Sequence, residues 1–123
     1  HISEILSVDE IIPSAGQGVI ALQCREKDKK INKMLKKVNH LNTFISVQAE
    51  RNVLKVLDGD CETAIGVISQ IYDKTIHLKA ELFSLDGTER FYYEDSKNIT
   101  HAHELGLEIG ENLKKQSSGN YKK

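Results

Sequence analysis

Cys61 is the residue of this sequence whose setting is most typical of a chemically reactive group. It lies in the stretch 57–66 (LDGDCETAIG), between a run with helical periodicity and a run rich in β-branched residues. Gly59 can adopt the positive φ with which many helices end. The pattern therefore predicts that Cys61 lies on a tight helix-to-strand connection with its side chain near the surface. Loops held between rigid elements often carry chemistry.

Two interpretations of Cys61 remain open from the residues alone. Free cysteine is among the most frequently buried residue types, so a small buried apolar side chain is the first. A reactive thiol is the second. Asp60 and Glu62 flank the cysteine, and no lysine or arginine lies within three residues of it. Negative charge disfavours the thiolate, so we expect no turnover nucleophile; the second interpretation is then a thiol that reacts once with a strong electrophile and stays attached.

Three blocks of the sequence, in the same order, resemble those of a known family. The blocks are 12–18 (IPSAGQG) running into 21–25 (ALQCR), then 49–51 (AER), then 57–66. They resemble the Leu-Pro-Ala-x-Gly-Gln-Gly, Ala-Glu-Arg and Leu-x-Gly-Gly-Cys-x-x-Pro-Ile-Gly motifs of porphobilinogen deaminase, also called hydroxymethylbilane synthase. Asp60 replaces a usual glycine and Ala64 a usual proline, which affects the local turn and leaves the cysteine in place.

The resemblance implies a transferase that joins four porphobilinogen units into hydroxymethylbilane with release of ammonia, in tetrapyrrole and haem biosynthesis. It implies that Cys61 anchors a dipyrromethane cofactor, the primer, through a thioether. A thiol suits this task because it is a soft nucleophile toward an electrophilic methylene-pyrrole. The resemblance further implies that Gln17 and Gly18 line the cleft, that porphobilinogen and the growing pyrrole chain are the partners, and that the parent enzyme is cytoplasmic and monomeric.

The same resemblance implies a division of the chain. Members of the family are much longer than 123 residues, so we expect the C-terminal portion of such an enzyme. Residues 1–41 would be the end of the preceding domains, and residues 42–123 the cofactor-attachment domain. The catalytic aspartate would lie elsewhere, so we expect no catalytic residue here, an inactive isolated chain, and a Cys61 without primer in it.

Composition excludes several other classes. The chain is 39% hydrophobic and 28% charged, as soluble globular proteins are, and its net charge of −1 argues against a nucleic-acid binder. No apolar run approaches the length of roughly 18 residues that a membrane span requires. Cys24 and Cys61 show no paired spacing, which indicates a reducing compartment. We expect no metal site, because His101 and His103 would point to different faces of a helix.

Periodicity predicts the elements around these blocks. The predicted helices are an exposed one over Glu26–Lys37, a buried one over Thr43–Leu57 capped by Asn42 or Thr43, and a last one over Asn98–Gln116 capped by Thr100. The predicted strands are Val19–Cys24, Ile65–Tyr72, Ile76–Leu85 and Arg90–Glu94, with turns at 73–75 and at Asp86-Gly87. We expect the lone histidine His40 to lie in a surface loop and the polar tail Ser117–Lys123 to fray.

The second strand predicts the architecture of the sheet. Apolar residues at 76, 78, 80 and 82 alternate with His77, Lys79 and Glu81, so one face is expected to be buried and the other wet, as in antiparallel sheets. The predicted class is α+β, an open three-stranded antiparallel sheet with helices packed on one face. A strand (Val19–Cys24) and a helix left over from a neighbouring domain are expected to precede it.

Two further functions fit this order of elements less well. A double-stranded-RNA-binding module has the same helix-strand-strand-strand-helix order and no catalysis, but it needs basic residues where the last helix begins. Here that helix opens with residues 101–104 (HAHE). A cysteine hydrolase would need a histidine placed to serve Cys61, and the spacing places none.

Overall fold

The computed structural model describes residues 1–58 and 62–122. The helices are α1 (Lys29–Val38), α2 (Leu41–Leu57) and α3 (Ala102–Ser117), the last preceded by a 3₁₀ turn (Ile99–His101), and the strands are β1 (Ile65–Tyr72), β2 (Thr75–Phe83) and β3 (Arg90–Asn98). The strands pair antiparallel in the order β1-β2-β3. The predicted α+β class, an open three-stranded antiparallel sheet with helices on one face, is confirmed.

The hydrophobic core lies between one face of the sheet and the two helices α2 and α3. The four apolar residues of β2 predicted to be buried are all inaccessible to solvent: Ile76, Leu78, Ala80 and Leu82. The helices contribute Val53, Leu57, Leu105, Ile109 and Leu113 to the same cluster. Burying such apolar side chains is the main favourable contribution to folding, so this core fixes how α2 leads toward β1.

Helices α2 and α3 approach each other closely because α3 carries glycine where they touch. A Cβ atom at Gly106 would lie 2.2 Å from the carbonyl oxygen of Ala49, and one at Gly110 would lie 2.7 Å from the Cβ of Val56. Real Cβ atoms do not approach other atoms so closely. The two glycines therefore permit the close packing of α2 against α3.

The opposite face of β2 is less exposed to solvent than the alternation predicts. Lys79 and Glu81 were expected on a wet face, yet they are only 8% and 9% exposed. The Lys79 ammonium contacts the carboxylate of Asp9, and Arg90 Nε donates to Glu81 Oε2 at 2.8 Å. Asp9 belongs to the N-terminal segment, which covers part of this face. Buried charges need such partners, and alternation along one strand could not reveal them.

The strand predicted over Val19–Cys24 does not form: residues 19–25 have no regular secondary structure. Ile20 and Leu22 are 86% and 62% exposed. A strand is stable only when its backbone groups are paired, and the sequence analysis placed the partner of this one in another domain. Its pairing there stays a prediction.

The helix caps differ in part from those predicted. Helix α1 begins three residues later than expected, with Asp28 as its cap, whose Oδ1 accepts from the Ile31 amide at 3.0 Å. Helix α2 is capped by His40, whose Nδ1 accepts from the Thr43 amide at 3.3 Å. His40 is thus more than a loop residue. The sequence pointed to Asn42 or Thr43 because imidazole is an uncommon cap.

Strand β3 is longer than predicted, and the cap that follows it is Asn98. The strand was expected to end at Glu94, since the polar residues that follow have low strand propensity. Pairing with β2 extends it, with Asp95 opposite Leu78. The side-chain oxygen of Asn98 then accepts from the amide and the hydroxyl of Thr100 at 3.0 and 2.8 Å. Thr100 is a donor to the cap and not the cap itself.

Candidate functional site

The two ends of the predicted thiol connection define its setting. Residues 59–61, including Cys61, lie outside the described residues, and so does the predicted surface position of the thiol. Helix α2 ends at Leu57, Asp58 has left-handed backbone angles (φ 50°, ψ 41°), and β1 begins at Ile65. Aspartate tolerates this conformation better than most residues. The predicted order of helix, short connection and strand is therefore present.

The C-terminal end of α2 is contacted by side chains from the C-terminal part of the chain. The Tyr121 hydroxyl, on a residue only 1% exposed, donates to the carbonyl oxygen of Leu57 at 2.7 Å. Lys122 Nζ lies 3.5 Å from the same oxygen and 3.7 Å from Asp58 Oδ2. Lys114 Nζ lies 3.4 Å from another carbonyl oxygen of this turn. Donors and cations here satisfy unpaired carbonyls and complement the helix dipole. We name Lys114, Tyr121 and Lys122 the helix-end clamp.

The tail predicted to fray is packed as far as residue 122. The Asn120 carbonyl oxygen accepts from the Leu85 amide at 3.0 Å, and the Asn120 side chain donates to Glu89 Oε2 at 2.8 Å. Polar composition pointed to fraying, but the buried aromatic ring of Tyr121 anchors the segment. That single tyrosine was the signal that the sequence analysis passed over.

The turn that receives the tail is itself held by one carboxylate. Ser84 Oγ donates to Asp86 Oδ1 at 2.6 Å, and the amide and hydroxyl of Thr88 donate to it at 3.1 and 2.8 Å. The hydrogen bond from Ser84, followed by those from Thr88, lowers the pKa of Asp86 to about 2. The predicted Asp86-Gly87 hairpin turn is thus confirmed, and it forms a fixed support for the tail.

Glu50 joins the second sequence block to the first. The residue is 7% exposed, and its Oε2 accepts from the backbone amide of Gly16 at 2.7 Å. Its Oε1 accepts from the amide and the hydroxyl of Ser69, in β1, at 2.9 and 2.8 Å. All three partners are donors, which is the arrangement that satisfies an ionised carboxylate. One side chain of α2 therefore holds both the glycine loop and β1.

The two charged residues at the centre of α2 have different surroundings. Arg51 is exposed. Within the part of the chain that the structure describes, neither Glu50 nor Arg51 takes part in a salt bridge. The physical reason is the nearby backbone, because amide donors of Gly16 and Ser69 reach the Glu50 carboxylate and leave no need for a cation.

The loop at residues 16–18 combines a fixed backbone with an exposed tip. Gly16 and Gly18 have φ of 70° and 76°, angles that favour glycine. The Val67 amide of β1 donates to the carbonyl oxygen of Pro13 at 2.8 Å, so the chain entering the loop lies along the edge of the sheet. Gln17 and Gly18, predicted to line a cleft, are both exposed. The loop thus presents its predicted binding residues outward.

A cavity brings the first and third sequence blocks to one side of the sheet. Its volume is about 570 Å³, and Ile12, Ala64 and Gly66 lie on its wall together with the Glu81–Arg90 pair. The backbone of Ile12 lies so close that a Cβ at Gly66 would be 2.5 Å from its carbonyl oxygen. The first block therefore contacts the third at Gly66 and the second at Glu50.

The part of the chain that the structure covers contains neither a cluster of metal ligands nor a membrane-spanning helix. Among residues 1–58 and 62–122, no cluster of three His, Cys, Asp or Glu side chains could bind a metal ion. No helix in these ranges has the length and apolarity to cross a bilayer. Cys24, the other cysteine, is half-buried.

Comparison with known proteins agrees with the three blocks. Residues 44–115 match the family described as porphobilinogen deaminase, C-terminal domain. The porphobilinogen deaminase of Desulforamulus reducens is 36% identical over 112 residues, covering 91% of this chain and 36% of that protein. The one from Chloroherpeton thalassium is 31% identical over 115 residues, covering 90% and 37%.

The match first defines residues 44–115, which form the α+β core of the structure, as a C-terminal domain. The chain belongs to the porphobilinogen deaminase family. It spans little more than a third of the length of the curated relatives it matches. The resemblance predicted from the sequence is thereby confirmed, and the double-stranded-RNA-binding alternative is not favoured.

Proposed function

We propose that this chain is the C-terminal part of a porphobilinogen deaminase that joins four porphobilinogen units into hydroxymethylbilane with release of ammonia. The family match over residues 44–115 supports the proposal. Residues 1–41 then belong to the preceding domains and residues 42–123 form the cofactor-attachment domain. Porphobilinogen and the growing pyrrole chain are the proposed ligands.

Within this enzyme, Cys61 anchors the dipyrromethane primer through a thioether. The observation that supports this assignment is that the first block contacts both of the others, through Gly16 to Glu50 and through Ile12 to Gly66. When bound, the primer supplies the nucleophilic pyrrole carbon to which the first unit is added. In forming the thioether, the Cys61 sulfur bonds to a methylene carbon, the thiol loses its proton, and the leaving group departs as ammonia or water.

The groups around the connection fit an anionic pyrrole chain. The primer carries acetate and propionate groups, and carboxylates favour cationic donors. The fold brings Lys114 and Lys122 to the last turn of α2, although the residues flanking Cys61 in sequence are acidic. The exposed Gln17 and Gly18 offer a second contact on the glycine loop.

The isolated chain has no deaminase activity under this proposal. Carboxylate recognition is best served by arginine, and the arginines here are Arg25, Arg51 and Arg90, all exposed and carried by different segments. Arginines so dispersed do not bind a tetrapyrrole, so the remaining ones must come from the rest of the enzyme. Primer attachment depends on the same cleft, and Cys61 in the isolated chain is therefore an unmodified thiol.

The experiment is the Cys61→Ser substitution in the full-length enzyme, with Cys24→Ser as the matched control. Intact mass spectrometry and turnover of porphobilinogen are measured for both. We expect Cys61→Ser to lose the primer mass and the activity, and Cys24→Ser to retain both. Retention of the primer by Cys61→Ser would refute the assignment.

A further inference from the structure

The helix-end clamp contacts residues 56–58, the last residues that the structure describes before Cys61. Its side chains lie 58, 64 and 65 residues along the chain from the carbonyl groups that they contact. The end of α2 is therefore fixed by long-range contacts from the C-terminal segment. Local helix chemistry adds the left-handed Asp58, whose amide donates to the Leu54 carbonyl oxygen at 3.0 Å.

The tail that carries two members of the clamp, Tyr121 and Lys122, is held at several points. Tyr121 is buried, and Lys122 Nζ lies 5.8 Å from the centre of its ring. The neighbouring Asn120 is bonded to Leu85 and Glu89, which belong to the connection between β2 and β3. A support anchored in this way can hold the last turn of α2 in one position.

We propose that Tyr121 and Lys122 are positioning residues for primer attachment, because they fix the end of α2 from which the cysteine connection departs. This inference rests on the proposed function, in which Cys61 carries the primer. A helix end whose carbonyl groups lack partners frays by a residue or two, and fraying here moves the attachment point of the connection. Thioether formation requires the sulfur and the methylene carbon to meet in a narrow geometry.

The charges of the clamp support the same role. Asp60 and Glu62 make the connection acidic, and the primer carries carboxylates. Lys122 places a positive charge beside Asp58 and the Leu57 carbonyl, and Lys114 adds another beside the carbonyl of the preceding residue, Val56. Cations that contact the last carbonyl oxygens of a helix offset its negative C-terminal end, which would otherwise repel an anionic ligand.

The experiment measures primer attachment to full-length enzyme produced without primer. Porphobilinogen is added, and the gain in intact mass is followed over time for the parent, Tyr121→Phe, Lys122→Gln and the double variant. We expect the double variant to attach primer about tenfold more slowly, because small displacements of reacting groups slow a reaction. Lys122→Arg keeps the positive charge and should attach primer at nearly the parental rate. The control is Tyr92→Phe, which removes a tyrosine hydroxyl bonded to Glu94 at 2.8 Å on β3 and should have no effect.

Alkylation of Cys61 by iodoacetamide separates positioning from a general structural effect. A small reagent needs no defined approach, so we expect alkylation of the clamp variants to be as fast as in the parent, or faster, while primer attachment slows. Parental primer attachment in the double variant would overturn the inference, and so would equal slowing of attachment and alkylation. Tyr121→Phe alone serves if the double variant does not fold. Persistence of primer in Cys61→Ser would instead overturn the proposed function.

Discussion

The Glu50 carboxylate accepts a hydrogen bond from the backbone amide of Gly16, 34 residues earlier in the chain, at 2.7 Å. The same carboxylate accepts from Ser69, 19 residues later. A single buried side chain thus connects the glycine loop, helix α2 and strand β1. We infer that this contact fixes the position of the glycine loop, with its predicted cleft residues Gln17 and Gly18, relative to α2 and β1.

Glu50→Gln should therefore loosen the glycine loop and lower stability. The amide side chain has one acceptor oxygen, so one of the two contacted sides loses its bond and leaves a partly buried donor unpaired. Such a loss costs about 1–3 kcal/mol in the free energy of unfolding. Urea denaturation measures the loss, and hydrogen exchange at the Gly16 amide reports the loop. Arg51→Gln, on the exposed side of α2, should change neither, and unchanged exchange at Gly16 in Glu50→Gln would contradict this account.

Gly106→Ala should separate α2 from α3. The added methyl would lie 2.2 Å from the Ala49 carbonyl oxygen, which is backbone and cannot rotate away. Overpacking of this kind costs typically about 1–3 kcal/mol. The comparison is with Glu111→Ala, an exposed site on α3, which should be close to neutral by chemical denaturation. Equal stability of the two variants would show that the helices can move apart freely.

The turn at Asp86 should make stability depend on pH at the acidic end. Hydrogen bonds from Ser84 and Thr88 lower the pKa of Asp86 from 3.8 to about 2 in the folded protein. The folded state therefore binds the proton less tightly than the unfolded state, so the contribution is complete above pH 3.8 and is lost as the pH falls toward 2. Thermal midpoints of the parent and Asp86→Asn should differ above this range and converge near pH 2. A constant difference from pH 2 to pH 6 would rule out the proton linkage.

The segment Val19–Cys24 should exchange its amide hydrogens rapidly in a dilute monomer. None of its residues pairs with a strand of the described chain, and Ile20 and Leu22 are exposed. At high concentration the same segment should favour association through strand pairing, and Leu22→Lys should weaken that association in sedimentation experiments. Strong protection of these amides in a dilute monomer would disprove the expectation.

Local patterns predicted the sheet well because its determinants are local. The alternation of Ile76, Leu78 and Ala80 with polar residues fixes which face of β2 is buried, and Asp86-Gly87 fixes one turn. These features follow from neighbours one or two residues apart. The order of the elements and the α+β class could therefore be predicted from the sequence.

The features that the sequence analysis missed all depend on distant partners. Burial of Lys79 is explained only by Asp9, 70 residues earlier in the chain, and the packing of Tyr121 only by Leu57, 64 residues earlier. From composition alone, a lysine in a strand is expected to be exposed to solvent, and a tyrosine in a polar tail is expected to be unpacked. Contacts between distant segments decide both, and such contacts also bring Lys114 and Lys122 to the end of α2.

The most direct test of the central proposal is peptide mapping of the full-length holoenzyme. Trypsin should release residues 56–74, between Lys55 and Lys74, and that peptide should carry the mass of a dipyrromethane attached through Cys61. The peptide that ends at Arg25 and contains Cys24 should be unmodified. A primer on Cys24 with Cys61 free, or a fully active enzyme with both peptides unmodified, would contradict the assignment of Cys61 as the primer anchor.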